Sequence, residues 1–187
     1  SFSELLNWFI GIINLKSLNS ALPTTFFFNI GVGIGLFLLS QIIQSFNLSH
    51  GLYVDELYHL LAAHSVNTDG TLRLADGYYN RTEIYTRFIA FLYHLFGEGS
   101  EVARMSSSIT VSLFISVVYF STLRLLGHKQ ALITAMILCV LPSTIYFAQF
   151  IRFYAAHQLF FWMASIGFYS LIAIRISPVL QIVTCIF

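Results

Sequence analysis

Between Gln130 and Ile174 the chain runs for roughly 45 residues with Arg152 as its only formal charge. A bilayer-spanning helix needs about 20 apolar residues, so this run is too long for one crossing and suits two, about 130–149 and 153–175. The break between them is expected at Gln149-Phe150-Ile151-Arg152, the strongly polar point of the run. Two further spans precede it. Pro23 opens one over about 24–46, and another covers about 102–123, with Arg104 at its entrance and Arg124, His128 and Lys129 at its exit. From Pro178 to Phe187 a fifth apolar segment begins and stops short of a crossing. Only 9% of residues are charged, against about 25% in soluble domains. The expected fold is therefore an all-α integral membrane protein, a multispan helical bundle, with residues 1–187 forming the N-terminal part of one longer transmembrane domain.

Charge placement sets the expected topology. Lys16, Arg124, Lys129 and Arg175 fall on one side of these spans, and the acidic segment 47–101 with Arg152 falls on the other. Basic residues favour the cytoplasmic side, so the N-terminus is expected in the cytoplasm and segment 47–101 outside or in a lumen, in a bacterial inner membrane or the ER membrane. A net charge of +1 supplies no basic field, and no nucleic-acid partner is expected. Cys139 and Cys185 lie in apolar runs without disulfide or metal spacing and read as packing residues.

Residues 1–19 suit a short interfacial helix. No basic leader or small-residue cleavage site is present, so a signal peptide is not expected. Gly31, Gly33 and Gly35 suit close helix contact rather than a phosphate loop, because no strand precedes them. Segment 47–101 reads as a large loop carrying amphipathic juxtamembrane helices. One covers Leu52–Val66 with Leu57, Leu60, Leu61 and His64 on its apolar side, and ends in turn chemistry at Asn67-Thr68-Asp69-Gly70. After a second turn at Asp76-Gly77, another covers about Glu83–Phe96 and is halted by Gly97 and Gly99.

The loop opens with Val54-Asp55-Glu56-Leu57-Tyr58-His59, two adjacent carboxylates just past a long apolar segment. Acids at such a place need water or cationic partners and mark a functional site. The plainer reading is that they open a surface helix, whose positive end favours acids. Asp55 and His59 stand four apart, a possible metal pair, although two ligands are too few. His50, His64, His94 and His157 show no grouping. Asn47-Leu48-Ser49 and Asn80-Arg81-Thr82 match glycosylation sequons, which carry meaning only in a secretory lumen.

Taken in order, several short stretches resemble the start of a GT-C superfamily glycosyltransferase, in the branch of protein O-mannosyltransferases and lipid A aminoarabinose transferases. They are Asp55-Glu56-Leu57-Tyr58, then Gly77-Tyr78-Tyr79-Asn80-Arg81, Phe96-Gly97, Ala103-Arg104-Met105-Ser106 and Ala148-Gln149-Phe150-Ile151-Arg152-Phe153-Tyr154. Relatives often carry Tyr-x-Lys-Pro-Pro at the second of these; here Arg81 replaces the lysine and Thr82-Glu83 the prolines. The resemblance implies transfer of a sugar from a polyprenyl-phosphate donor to a lipid, glycan or protein acceptor at the extracytoplasmic face of the bilayer. Such attack needs a carboxylate as general base, a role that falls to Asp55, with Glu56 holding the loop or the acceptor. The leaving phosphate needs fixed positive charge, for which Arg81 and Arg152 are the candidates, with Tyr154 adding a hydroxyl. Tyr58, His59 and Tyr79 are expected to line the substrate pocket, together with Tyr78 and Tyr85. Arg104 is expected to cap the acidic end of the loop through Glu98 or Glu101. No cofactor is required, although some relatives use a divalent ion, which stays open. The rival readings are a non-enzymatic multispan transporter or assembly subunit and a catalytically inactive relative. Pro142 is the one mid-span break and no internal repeat is visible, which favours the enzyme over a transporter.

Overall fold

The computed structural model describes residues 22–46, 48, 51–75, 77–79 and 81–174, with side chains described inside the terminal helices from Phe26 and up to Ser170. The chain divides into two compact units, Ser1–Gly35 and Leu36–Phe187. The described part of the first unit belongs to α1 (Leu22–Gln44), whose window Phe26–Gln44 has a mean hydropathy of 2.0, long and apolar enough to cross a membrane. Among the described residues, a Cβ added at Gly31 or Gly35 would meet nothing within 4 Å.

The second unit continues with α2 (Val54–Asp69), a ribbon of two strands, β1 (Arg73–Leu74) and β2 (Gly77–Tyr78), then α3 (Glu83–Phe96), α4 (Ser100–Leu126), α5 (His128–Val140), α6 (Pro142–Ala148) and α7 (Tyr154–Ile174). Helix α4, with 27 residues and a mean hydropathy of 1.8, is the second candidate membrane-spanning helix. The stretch expected as one span over 130–149 is instead two helices, α5 and α6, bent by 62°. Pro142 lacks an N–H and its ring disfavours a helical residue before it. Leu141 accordingly sits in extended backbone at φ −66°, ψ 123°, and the helix restarts with Pro142 in its first turn, where proline is tolerated. The expected break at Gln149–Arg152 does separate α6 from α7. The interfacial helix over 1–19, Lys16, His50, the asparagines of both sequons, Arg175, Cys185 and the segment from Pro178 lie outside the described residues.

The strand pair departs from an all-α reading. It is antiparallel, with Arg73 opposite Tyr78 and Leu74 opposite Gly77, and Tyr79 N–H extends it to the Leu72 carbonyl at 3.0 Å. Two residues per strand leave too little periodic pattern to be seen in a sequence. The helix before it, α2, ends where Gly70 takes the left-handed conformation at φ 69° and donates to the Val66 carbonyl at 3.1 Å.

Which face α2 buries also differs from expectation. Glu56, His59, Ala62, Ala63 and Ser65 face inward, while Leu57 and Leu61 are nearly half exposed and His64 is exposed. Leu57 and Leu61 thus lie outside, while Leu60, as expected, packs partly buried against the core beside the small residues. Ala63 lets α3 come close, so that it packs with Tyr85, Ile89, Ala90 and Tyr93 of α3, Ala103 of α4 and Ile151. Helix α4 buries a run of hydroxyls, Ser106, Ser107, Ser108, Thr110 and Ser112, together with larger residues such as Phe114, Ile115 and Tyr119 further along. Where the surroundings are as apolar as leucine, burial gives no reward to leucine, and helices meet through small residues and hydrogen bonds. Such bonds tie α1 to α4: Gln41 Nε2 donates to Ser112 Oγ at 2.9 Å, Ser108 Oγ to Gln41 Oε1 at 3.1 Å, and Ser112 Oγ to Ser40 Oγ at 3.0 Å.

Candidate functional site

The first turn of α2 presents two carboxylates in different directions, because successive helical residues are turned by about 100° from one another. Glu56 points inward and is fully buried. Its Oε2 accepts from its own helix start, Tyr53 N–H, at 2.9 Å and from Arg104 Nη2 at 3.2 Å, and its Oε1 accepts from Ile151 N–H at 2.9 Å. A buried carboxylate is tolerable only when it is paired and hydrogen-bonded, and here three donors from three segments reach its two oxygens. Arg104, also fully buried, is turned to this carboxylate and not to Glu98 or Glu101 as expected. It donates as well to the carbonyls of Leu48 and Gly51, so it braces the segment between α1 and α2. Glu98 is paired instead with His64, whose Nδ1 lies 2.7 Å away.

Asp55 points outward, its side chain 57% exposed, and forms an ion pair with Arg152. The arginine stands in the short connection between α6 and α7, and its guanidinium lies 5.7 Å from the centre of the Tyr154 ring. Three of the residues singled out in the sequence, Asp55, Arg152 and Tyr154, are therefore one cluster, although 97 positions separate the first two. Tyr154 also lines an open groove of about 540 Å³ with Phe147, His157, Gln158 and Phe161. The cluster combines a solvent-reachable carboxylate, a fork of cationic donors and an adjoining apolar trough.

The connection carrying Arg152 is held at its backbone. Ser107 Oγ on α4 donates to the Phe150 carbonyl, while Ile151 N–H is the donor to Glu56. Tyr85 hydroxyl reaches Ser107 Oγ at 2.6 Å, and Ser106 Oγ lies 3.0 Å from the same hydroxyl. Burial pushes the Tyr85 hydroxyl up to about 12, with the Ser106 and Ser107 hydrogen bonds acting the other way, so it keeps its proton at neutral pH. Gln149 Nε2 donates to the Phe46 carbonyl at 2.6 Å.

His59, Tyr79 and Arg81 form a second cluster. His59 is buried, with Nδ1 at 3.3 Å from both Thr86 Oγ1 and Tyr79 hydroxyl, and its ring meets the Tyr79 and Tyr85 rings edge to face. Burial, reinforced by the positive charge of Arg81, lowers His59 to about 4 and leaves it neutral at physiological pH. Burial raises the Tyr79 hydroxyl, partly countered by Arg81. Arg81 is exposed, and among the described residues no polar contact joins it to Asp55, Arg152 or Tyr154. The two arginines assigned to one phosphate thus stand in different clusters. Asp55 and His59 likewise engage different partners in place of the metal pair their spacing allows; among the described residues no group of three or more His, Cys, Asp or Glu is placed to hold a metal. Tyr58 is 44% exposed beside neither cluster's hydrogen bonds, and Tyr78 hydroxyl lies 3.3 Å from Glu83 Oε2. Thr82, next to Arg81, sits in the left-handed region at φ 49° and its buried Oγ1 has no hydrogen-bond partner among the described residues.

Sequence reasoning passed over Ser107 and the Tyr85 hydroxyl as backbone clamps. The signal was present as Ser106-Ser107-Ser108, three successive hydroxyls inside a span, where polar side chains need partners. Comparison of the chain with family models, with curated proteins and with solved structures finds no match.

Proposed function

We propose that the protein is a membrane glycosyltransferase of the GT-C type, moving a sugar from a polyprenyl-phosphate donor to an acceptor at the extracytoplasmic face of a multispan helical bundle. The observation that carries this reading is the Asp55–Arg152 pair with Tyr154 shared between the arginine and an apolar groove. A lipid phosphate has the matching parts: an anionic head for a guanidinium fork and a hydrocarbon tail for the trough. Asp55 is the general base. Its exposure keeps it reachable by an acceptor hydroxyl or amine, and the departure of Arg152 to a phosphate leaves its oxygens free to take the proton. Arg152 and Tyr154 hold the donor phosphate. Arg81, exposed above the buried Tyr79 and His59, offers a separate contact for sugar or acceptor, and the exposed apolar residues of α2 and α3, among them Val54, Leu61, Ile84 and Phe91, rest against the bilayer surface.

A second reading has its own support. The pairing of Asp55 with Arg152 also satisfies both charges without any ligand, as in an assembly subunit or an inactive relative. Sugar transfer by the purified full-length protein, assayed with a polyprenyl-phosphate-linked sugar, separates the two. Asp55→Asn removes the proton acceptor and lowers turnover at least about 100-fold with donor binding retained. Near wild-type turnover in that variant would leave the second reading ahead.

A further inference from the structure

Both polar atoms of one peptide unit, Phe150–Ile151, are taken by side chains from other elements. The carbonyl accepts from Ser107 Oγ and the N–H donates to the buried Glu56 carboxylate. The Ile151 side chain is itself fully buried in the cluster formed with Ala63, Ile89 and Ala103. Ser107 has one hydroxyl hydrogen, and because it goes to the Phe150 carbonyl, the 2.6 Å contact with Tyr85 must be Tyr85 donating to Ser107. The hydroxyl chain therefore has a single direction, from Tyr85 through Ser107 to the peptide carbonyl. Arg152 follows immediately and its own N–H returns to the Phe150 carbonyl at 2.9 Å. A peptide unit held at both ends cannot rotate, and its rotation is what would swing the next Cα and the guanidinium on it.

We infer that Ser107 is a positioning residue, which together with Glu56 locks the Phe150–Ile151 peptide and so sets the Arg152 guanidinium against Asp55. The consequence for activity rests on the reading of Arg152 as the donor-phosphate ligand; the locking itself does not. Neither Ser107 nor Glu56 touches the ligand in this scheme. Their effect passes through the backbone to Arg152, so it must vanish when the guanidinium is absent.

The test uses the full-length protein in detergent with decaprenyl phosphate as the probe. Ser107→Ala weakens binding about 5- to 10-fold, the loss expected for one hydrogen bond, while Ser107→Thr, which keeps a hydroxyl, stays within about 2-fold of the native protein. In an Arg152→Gln background Ser107→Ala has no additional effect beyond about 2-fold. The same loss in both backgrounds, or none in the native one, would assign Ser107 to packing alone. Hydrogen exchange at the Ile151 amide provides a readout without ligand: Ser107→Ala accelerates it about 10-fold, and unchanged exchange overturns the inference whatever the binding data show. If the native protein binds no decaprenyl phosphate but exchange at Ile151 accelerates, the glycosyltransferase reading fails and the backbone lock stands.

Discussion

Two ion pairs begin one residue apart on α2 and have opposite characters. Glu56–Arg104 is fully buried on both sides and closed by backbone donors and carbonyls, whereas Asp55–Arg152 leaves the carboxylate 57% exposed and the arginine 22% exposed. The difference separates a pair that fixes geometry from one that can exchange partners. A buried pair closed by backbone donors and carbonyls cannot exchange partners without a large desolvation penalty, so it fixes geometry. A pair at the surface contributes little to stability and releases its partners at little cost, as a ligand-binding arginine must.

The largest effect that would sharpen this contrast is on stability. Glu56→Ala leaves Arg104 buried and uncompensated and costs about 3–5 kcal/mol, seen as loss of folded protein or a much lower unfolding temperature in detergent. Asp55→Ala, by comparison, changes stability by about 0–1 kcal/mol. Similar losses from both would break the distinction between a structural and an exchangeable pair.

A somewhat smaller effect concerns pH at the second cluster. The folded state holds His59 near 4 against 6.5 when unfolded, so between these values the unfolded chain binds more protons and stability falls as pH falls. At ~1.4 kcal/mol per pH unit the full contribution is about 3 kcal/mol, present above pH 6.5 and gone below about 4. Thermal melts from pH 7 to 4.5 should show this slope in the native protein and a flatter one in His59→Gln. An equal slope in both would show that burial and the Arg81 charge do not hold His59 neutral.

The smallest effect is beside Arg81. Thr82 at φ 49° carries strain that glycine lacks, so Thr82→Gly stabilises by about 1 kcal/mol unless the conformation serves to aim Arg81. A gain in melting temperature with unchanged donor binding assigns the strain to the turn; a loss of binding assigns it to the site.

Much of the architecture could be read from the chain because apolar length is a strong signal: α1 and α4, the two helices long and apolar enough to cross a membrane, and the break before α7 lie where the sequence places them. Inward and outward faces were less legible. Leu57, Leu60 and Leu61 read as one core stripe, yet only Leu60 packs against the core, where Ala63 lets α3 approach closely, while Leu57 and Leu61 are nearly half exposed. Pro142 was legible as a mid-span break, but uniform hydropathy gave no measure of the 62° bend that divides the stretch into α5 and α6. At the site, residue types pointed to Asp55, Arg152 and Tyr154, and the fold joins them. The pairing of Glu56 with Arg104, and of Arg81 with the His59 cluster instead of Arg152, depends on three-dimensional register across α2, α3 and α4, for which sequence spacing gives no measure.

The central claim, that Arg152 is a ligand-exchangeable partner of Asp55 that receives the donor phosphate, is tested most directly by titrating polyprenyl phosphate into the full-length protein and its Arg152→Gln variant. A charge-assisted contact worth about 1.5–3 kcal/mol predicts roughly 10- to 150-fold weaker binding in the variant, with Arg152→Lys intermediate because it keeps the charge and loses the fork. Unchanged affinity in Arg152→Gln would contradict the account and leave the Asp55–Arg152 pair as a surface contact.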